Sequence, residues 1–471
     1  MVTEIKFGTD GWRGIIARDF TFSNVRLVTQ SISDYLNKQP TMNHEPRTVL
    51  VGYDCRFLSQ EYASAVAEVL SGNGFIVLLS AQAVPTPAVS YNVVSRKVAG
   101  AIIITASHNP YEFNGLKFKT AQGASAHQEV TRLFERSLRQ AAVQQGQRNI
   151  REVDLRKSYL HHLQSMVDID KIRRRKMKIV IDPLFGAGQG CLEELLTGGS
   201  IKIISINSGH DPLFGGIHPE PIAANLGELI ETVRQNKADI GIALDGDADR
   251  IGLVDSQGVF VNSHQIFSLL LLHLIKNRKK TGAVVKTISG TYLIERICRQ
   301  YRLKLSETPI GFKYIGDIML KEKVLLGGEE SGGIGFQGHI PERDGILSAL
   351  YILELMAVTG QSLVSLKKEL FAEFGLSCYD RIDLKLGHTH HHHIDKKNFS
   401  RQISGFCSSL PEIGEIKDYD GVKLIFADSS WLLLRPSGTE PVVRIYAEAD
   451  NKPKVKKLID LGRKLVYKVK T

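Results

Sequence analysis

A run such as Ala99–Thr105 (AGAIIIT) leaves few choices for a fold. It is apolar at successive positions, so both sides of its pleat must be covered, which is the circumstance of a parallel strand with helices packed on the two faces of its sheet. The same grammar recurs along the chain. Thr48–Asp54 (TVLVGYD) is a short β-rich run, after which Ser59 is expected to cap a helix whose Ala63, Val66, Ala67 and Leu70 repeat at helical spacing until Gly72 and Gly74 stop it. Lys178–Asp182 (KIVID) precedes a glycine loop and the apolar-periodic stretch Cys191–Leu196, and Ala283–Ser289 (AVVKTIS) opens a third unit. Strand–loop–helix units at this spacing predict three related mixed α/β domains. Beyond about residue 375 the pattern changes to short strands at Val422–Phe426, Trp431–Leu434 and Val442–Glu448, followed by one helix over Lys452–Lys468, which predicts a C-terminal α+β domain. The expected domain spans are 1–150, 151–260, 261–375 and 376–471.

Composition supports several cores: 471 residues are 43% apolar and 23% charged. The longest apolar run, Ile266–Ile275, is interrupted by Ser268 and His273 and falls short of the roughly 20 residues of a membrane span. The N-terminus holds Glu4 and no apolar signal core, so a cytoplasmic protein without a membrane partner is expected. Five cysteines without C-x-x-C spacing read as reduced thiols rather than a disulfide or zinc framework. The net charge of +10 is carried partly by Arg173–Lys178 and by lysines between Lys452 and Lys470. Neither run interleaves aromatics, which favours solvated basic faces over a nucleic-acid partner. The histidines His388 and His390–His393 have no cysteine or acidic ligand at matching spacing and are expected to be a solvated loop.

Chemistry is concentrated in a few segments. Asp245-Gly246-Asp247-Ala248-Asp249-Arg250 follows the apolar run Ile240–Leu244 and, on an extended backbone, would project three carboxylates to one side. Three such charges together call for a hard divalent cation, and Mg²⁺ commonly completes its oxygen shell with phosphate, so phosphoryl transfer is implied. The competing reading is an acidic hairpin turn. Thr105-Ala106-Ser107-His108-Asn109-Pro110 lies where the strand Ala99–Thr105 ends, a place where α/β proteins gather ligands. Ser107 there is either a nucleophile or part of a turn. His108 is not its obvious base, because adjacent strand residues point oppositely. Lys117 is a proton-transfer group if its pKa is depressed, and otherwise an exposed lysine. Gly327–Gly333 (GGEESGG) sets Glu329 and Ser331 among glycines to read hydroxyl groups, and Arg435-Pro436-Ser437-Gly438-Thr439 joins a guanidinium to hydroxyls and turn amides, as phosphate cradles do. Gly186–Gly190 lacks dinucleotide-loop spacing, and no NAD is expected.

These segments in this order, with Phe7-Gly8-Thr9-Asp10-Gly11-Trp12-Arg13-Gly14 ahead of them, resemble the α-D-phosphohexomutases over essentially the whole chain. The resemblance implies three α/β domains and one α+β domain around a central cleft. It implies that Ser107 carries the phosphoryl group, that Asp245, Asp247 and Asp249 hold Mg²⁺ together with phosphorylated Ser107, and that Lys117 and Arg250 move protons or stabilise charge. Arg13 and His108 match supporting positions, Glu329 and Ser331 match readers of sugar hydroxyls, and Arg435, Ser437, Gly438 and Thr439 match the phosphate loop. The substrate would be a hexose phosphate, turned over through a hexose 1,6-bisphosphate. Glu330 and the Phe312-Lys313 pair are similar to the glucose-directed branch, and Gly333 stands where mannose- and amino-sugar-directed members tend to carry histidine. The opening FGTDG also looks like the phosphoglucosamine mutases. Alternatives are a phosphomannomutase or phosphoglucosamine mutase, a hexose-1,6-bisphosphate synthase, a phosphatase and a non-catalytic phosphosugar-binding regulator.

Overall fold

The computed structural model describes residues 5–8, 10–39, 47–138, 142–385, 396–407, 412–437 and 442–469. The chain forms two compact units, one of Met1–Ala283 with Gly311–Leu366 and one of Val284–Ile310 with Lys367–Thr471.

Two layered sheets organise the first unit. The first has six strands in the order Trp12–Ile15, Phe113–Thr120, Gly100–Ile104, Thr48–Tyr53, Ile76–Ser80 and Ile150–Val153. Its last four are mutually parallel, and Phe113–Thr120 runs antiparallel to both neighbours. Val49, Val51, Ile102 and Ile104 meet Val25, Val28, Ile32, Val66 and Leu70 of two helices on one side. The alternate residues Leu50, Ala101 and Ile103 are buried as well. Both faces are therefore covered, as the unbroken apolar run requires.

The second sheet runs Phe260–Val261, Ile251–Asp255, Ile240–Leu244, Lys178–Asp182 and Lys202–Ser205. Ile240–Leu244 is parallel to Lys178–Asp182 but antiparallel to Ile251–Asp255, so the acidic segment 245–250 is the connection of a hairpin. A further hairpin, Val324–Gly328 with Ile334–Phe336, presents residues 329–333 at its turn. Among the described residues no single helix is long and apolar enough to cross a membrane. The most apolar helix, Gly345–Thr359, is buried from Gly345 to Met356.

The helix after Thr48–Tyr53 departs from the expected start. Ser59 is its first residue rather than its cap; the cap position is Leu58, at φ +59°, and Ser59 Oγ instead donates to Asp54 Oδ1 at 2.8 Å. A buried carboxylate in the preceding loop competes for the hydroxyl and wins it.

In the second unit Val284–Thr287 pairs in parallel with Leu305–Thr308. An antiparallel sheet runs Cys378–Lys385, Val442–Ala449, Trp431–Pro436, Val422–Phe426 and Ile413–Lys417. The fully buried Glu448 accepts from Trp431 Nε1 at 2.6 Å, Ser377 Oγ at 2.6 Å, Tyr292 N at 3.0 Å and Thr291 Oγ1, so one carboxylate fastens this sheet to the start of helix Tyr292–Gln300. Helix Lys452–Val469 lays Val455, Leu458, Ile459, Leu465 and Val466 on the same core as Leu432, Leu434 and Ile445. Its Gly462 packs directly against the sheet, where a Cβ would come 2.6 Å from Ile445 Cγ2 and 3.0 Å from Leu434 Cδ2. Gly462→Leu is accordingly expected to destabilise this unit by about 1–3 kcal/mol through overpacking. A urea titration followed at Trp431 checks this, and an unchanged midpoint would contradict the packing described.

Candidate active site

Ser107 sits just past strand Gly100–Ile104 with φ +53°, a backbone conformation unusual for a side-chain-bearing residue. Its amide donates to Thr105 Oγ1 at 2.9 Å, and its Oγ donates to Asp245 Oδ2 at 2.9 Å. The left-handed turn also corrects the expectation for His108. The two side chains do not diverge as they would on a strand, and Oγ lies 3.3 Å from His108 Nδ1. Burial, reinforced by Arg250, Arg13, Arg56 and Lys117, keeps this imidazole well below the ordinary histidine range and hence neutral.

The acidic segment is not extended. It turns at Ala248 (φ +57°), so the hairpin and the carboxylate cluster are one feature: the turn gathers Asp245, Asp247 and Asp249, and one oxygen from each lies within 4.8 Å of the others. All three are fully buried. Burial and the neighbouring Asp249 and Asp247 push Asp245 well above the usual carboxylate range. Asp247 Oδ1 and Asp249 Oδ1 are buried without a hydrogen-bond partner among the described residues. Such orphaned anionic oxygens beside a raised carboxyl are what a hard divalent cation would satisfy, so the donor set fits Mg²⁺. Gly246 makes the approach possible, since a Cβ there would fall 2.4 Å from Ser107 O.

Lys117, on strand Phe113–Thr120, is buried, with Nζ 2.8 Å from Asp10 Oδ2, 2.8 Å from Asp247 Oδ2 and 3.3 Å from Asp249 Oδ2. Burial disfavours its charge, yet these three carboxylates overcome that and hold the ammonium well above the ordinary lysine range. The depressed pKa that would suit a proton acceptor is therefore absent, and so is the exposed alternative. Arg250 Nε lies 3.7 Å from Asp249 Oδ1 and 3.9 Å from Asp245 Oδ2. Arg13 Nη1 donates to Asn109 Oδ1, from the strand next to the one bearing Lys117.

The hairpin turn of residues 329–333 joins this cluster through its backbone: Ile251 N donates to Gly332 O at 3.2 Å, and Arg250 bridges Gly333. Glu329 accepts from Gly311 N at 3.0 Å and is pushed by burial up to about 7, against the opposing pull of Arg343. Ser331 and Lys313 are partly buried. Lys313 Nζ lies 5.2 Å from the Tyr314 ring centre, and its side chain lines a small cavity with Phe7, Asp10 and Ser125.

Two residues that no sequence argument singled out complete the network. Arg343 Nη2 lies 2.6 Å from Asp10 Oδ2 and 2.7 Å from Asp249 Oδ2, and its Nη1 is 3.4 Å from Glu329 Oε2. Asp10, whose own burial opposes its charge, is nevertheless held well below the usual carboxylate range by Lys117, Lys119 and Arg343. Asp10 stands inside the FGTDG segment and was legible as part of a motif; Arg343, in Glu342-Arg343-Asp344-Gly345, had no such signal.

In the second unit Arg435 lies near the end of strand Trp431–Pro436 and donates from Nε to Asp420 Oδ1 at 3.0 Å. Ser437 N donates to Val442 O at 2.9 Å. Gly438 and Thr439, and the histidines at 388 and 390–393, lie outside the described residues.

The chain is similar to known proteins along nearly its whole length. Models of the phosphoglucomutase/phosphomannomutase family match in chain order: α/β/α domain I over residues 4–144, domain II over 157–258, domain III over 262–374 and the C-terminal domain over 408–461. A phosphoglucosamine/phosphogalactosamine mutase of Sulfurisphaera tokodaii is 31% identical over 98% of both chains. A phosphoglucomutase/phosphomannomutase of Thermococcus kodakarensis is 29% identical, again over 98% of both. A solved structure from Thermus thermophilus, provisionally named a phosphomannomutase, superposes with a TM-score of 0.86 at 35% identity, covering 99% of this chain and 100% of that one. The chain belongs to the phosphoglucomutase/phosphomannomutase family of α-D-phosphohexomutases, enzymes that move a phosphoryl group within a hexose phosphate.

Proposed function

We propose that this phosphohexomutase interconverts glucose 1-phosphate and glucose 6-phosphate, with Ser107 as phosphoryl carrier and a glucose 1,6-bisphosphate intermediate. The observation that carries the reading is the meeting of Ser107 Oγ with Asp245 at 2.9 Å inside a buried carboxylate cluster that has oxygens to spare for a cation. In the same reading residues 1–150 supply the phosphoserine loop, 151–260 the metal loop, 261–375 the sugar loop and 376–471 the phosphate loop. The cysteines described are all free thiols, which suits a reducing compartment, and we place the reaction in the cytoplasm.

Phosphorylated Ser107 gives its phosphoryl group to the free hydroxyl of the bound hexose phosphate: the Oγ–P bond breaks, a sugar O–P bond forms, and the hydroxyl proton leaves to a base. The bisphosphate then turns over, Ser107 Oγ takes the other phosphoryl group as its sugar O–P bond breaks, and the sugar oxygen left behind recovers the proton from the base. Asp245, Asp247 and Asp249 would hold a divalent cation, which when bound would supply Lewis-acid stabilisation. Lys117, locked as a cation, stabilises charge instead of accepting protons. The neutral His108, its Nδ1 3.3 Å from Oγ, supports proton exchange there. Glu329 and Ser331 read hydroxyls that occupy similar places in both orientations of the sugar, while Arg435, Ser437, Gly438 and Thr439 take the distal phosphate. Arg13 and Arg250 support the transferring group.

Glucose preference rests on Phe312-Lys313, Glu330 and Gly333. A Cβ on Gly333 would fall 2.2 Å from Arg343 Cδ, so a histidine there is incompatible with Arg343 as it reaches Asp249 and Asp10. The names of the relatives fit a second reading equally well, an amino-sugar or mannose phosphate as substrate, since one is named a phosphoglucosamine/phosphogalactosamine mutase and another a phosphoglucomutase/phosphomannomutase.

Ser107→Ala is expected to abolish mutase turnover in a coupled assay while circular dichroism stays unchanged; full activity would reject the carrier role. Asp247→Asn should sharply lower turnover and raise the Mg²⁺ concentration needed for half-maximal rate, since one anionic ligand is lost. An unchanged Mg²⁺ response would return the segment to a plain acidic turn. In a side-by-side panel, kcat/KM for glucose 1-phosphate should exceed that for mannose 1-phosphate and for glucosamine phosphates, and equal or reversed ratios would remove the glucose assignment while leaving the mutase class intact.

A further inference from the structure

Arg56 lies in the loop between strand Thr48–Tyr53 and helix Ser59–Gly72 and is only 2% exposed. Its guanidinium turns toward the backbone of the Ser107 loop. Nη2 donates to Ser107 O and to Asn109 O, both at 2.6 Å, and Nη1 donates to Pro110 O at 2.8 Å and Phe113 O at 3.0 Å. Asp54 Oδ2 pairs with Nε at 3.3 Å, and the Phe214 ring centre lies 4.9 Å from the guanidinium carbon. Asp54 Oδ1 in turn accepts from Arg56 N at 3.0 Å and Ser59 Oγ at 2.8 Å. One planar fork thus gathers three carbonyls of the Ser107 loop and a fourth from the first residue of strand Phe113–Thr120, a task that a lysine ammonium, with one point charge and three donors, cannot reproduce.

The carbonyl of Ser107 is the telling contact. Arg56 holds that oxygen from one side, and Gly246 of the acidic turn packs against it so closely that a Cβ would be 2.4 Å away. Arg56 thus contacts the backbone of a residue at left-handed φ, a conformation that surrounding contacts must hold, on the same carbonyl that faces the acidic turn. We propose that Arg56 is a positioning residue for phosphoryl transfer, fixing the Ser107 loop so that Oγ faces the carboxylate cluster. The inference rests on the reading of Ser107 as phosphoryl carrier.

The test uses the full-length protein with Mg²⁺, loaded with phosphate from glucose 1,6-bisphosphate. Peptide mass mapping counts phosphorylated Ser107, and rapid quench measures transfer to glucose 6-phosphate per phosphoserine. Because misplacement of reacting groups by about 1 Å can lower a rate on the order of a hundredfold, Arg56→Ala should transfer roughly a hundredfold more slowly and Arg56→Lys at least about tenfold more slowly, with KM for the hexose phosphate within about threefold. Asp54→Asn, which keeps the guanidinium but weakens its anchor, should lower kcat less and in the same direction, and it stands in if Arg56→Ala does not fold. Lower stability or fewer phosphorylated molecules with an unchanged rate per phosphoserine in Arg56→Lys and Asp54→Asn would mean that Arg56 is merely structural and would overturn the proposal. Absence of phosphate on Ser107 in the parent protein would instead overturn the carrier reading, and this inference with it.

Discussion

The first unit depends on burying a set of carboxylates against a matched set of cations. Asp245, Asp247, Asp249, Glu329 and Glu342 are all withdrawn from water, and Lys117, Lys119, Arg250 and Arg343 are buried with them. Either set alone would be prohibitive in so dry a place. Together they form a network in which Lys117 grips the acidic turn from one strand, Arg343 grips Asp249 and Glu329 from the segment after the hairpin of Val324–Gly328 and Ile334–Phe336, and Asp10 accepts from both cations. Removing Lys117 or Arg343 leaves uncompensated buried carboxylates, an effect on the order of 3–5 kcal/mol. Among the described residues the same network leaves one oxygen each of Asp247 and Asp249 without a donor, and that remainder gives the site its capacity for a metal ion.

The strands and the order of the motifs were legible because they depend on local chemistry. Ala99–Thr105 had to be covered on both faces, and it is; the short C-terminal strands and their final helix lie where alternation and helical spacing put them. What was not legible depends on residues far apart in sequence. Ser59 reads as a helix cap until Asp54 is seen to take its hydroxyl, and His108 reads as diverging from Ser107 until the left-handed turn is seen. A depressed Lys117 was plausible on burial alone; three carboxylates from two other segments reverse the outcome. Arg343 and Arg56 carry no motif, and their roles are visible only from the partners that the fold brings to them.

In the second unit the organising contacts are also buried charges. Glu448 collects four donors, and Lys423 Nζ donates to Ile288 O at 2.6 Å while lying 4.3 Å from the Trp431 ring centre. Burial, with Lys286 adding to it, lowers Lys423 to about 7. Asp420 spends one oxygen on Arg435 and the other on Ile310 N, at 2.8 Å. The guanidinium proposed to take phosphate is thereby held by a carboxylate from a neighbouring turn rather than left to find its own rotamer, which limits the entropy lost when an anion binds.

In the function proposed, the buried carboxylate cluster serves phosphoryl exchange at one hydroxyl. The most direct measurement is to incubate the purified protein with ³²P-labelled glucose 1,6-bisphosphate and Mg²⁺, isolate it, and map the label by peptide sequencing. A single labelled site at Ser107, discharged on adding unlabelled glucose 6-phosphate, is expected. Label on another residue, or release of inorganic phosphate with none retained on the protein, would contradict it.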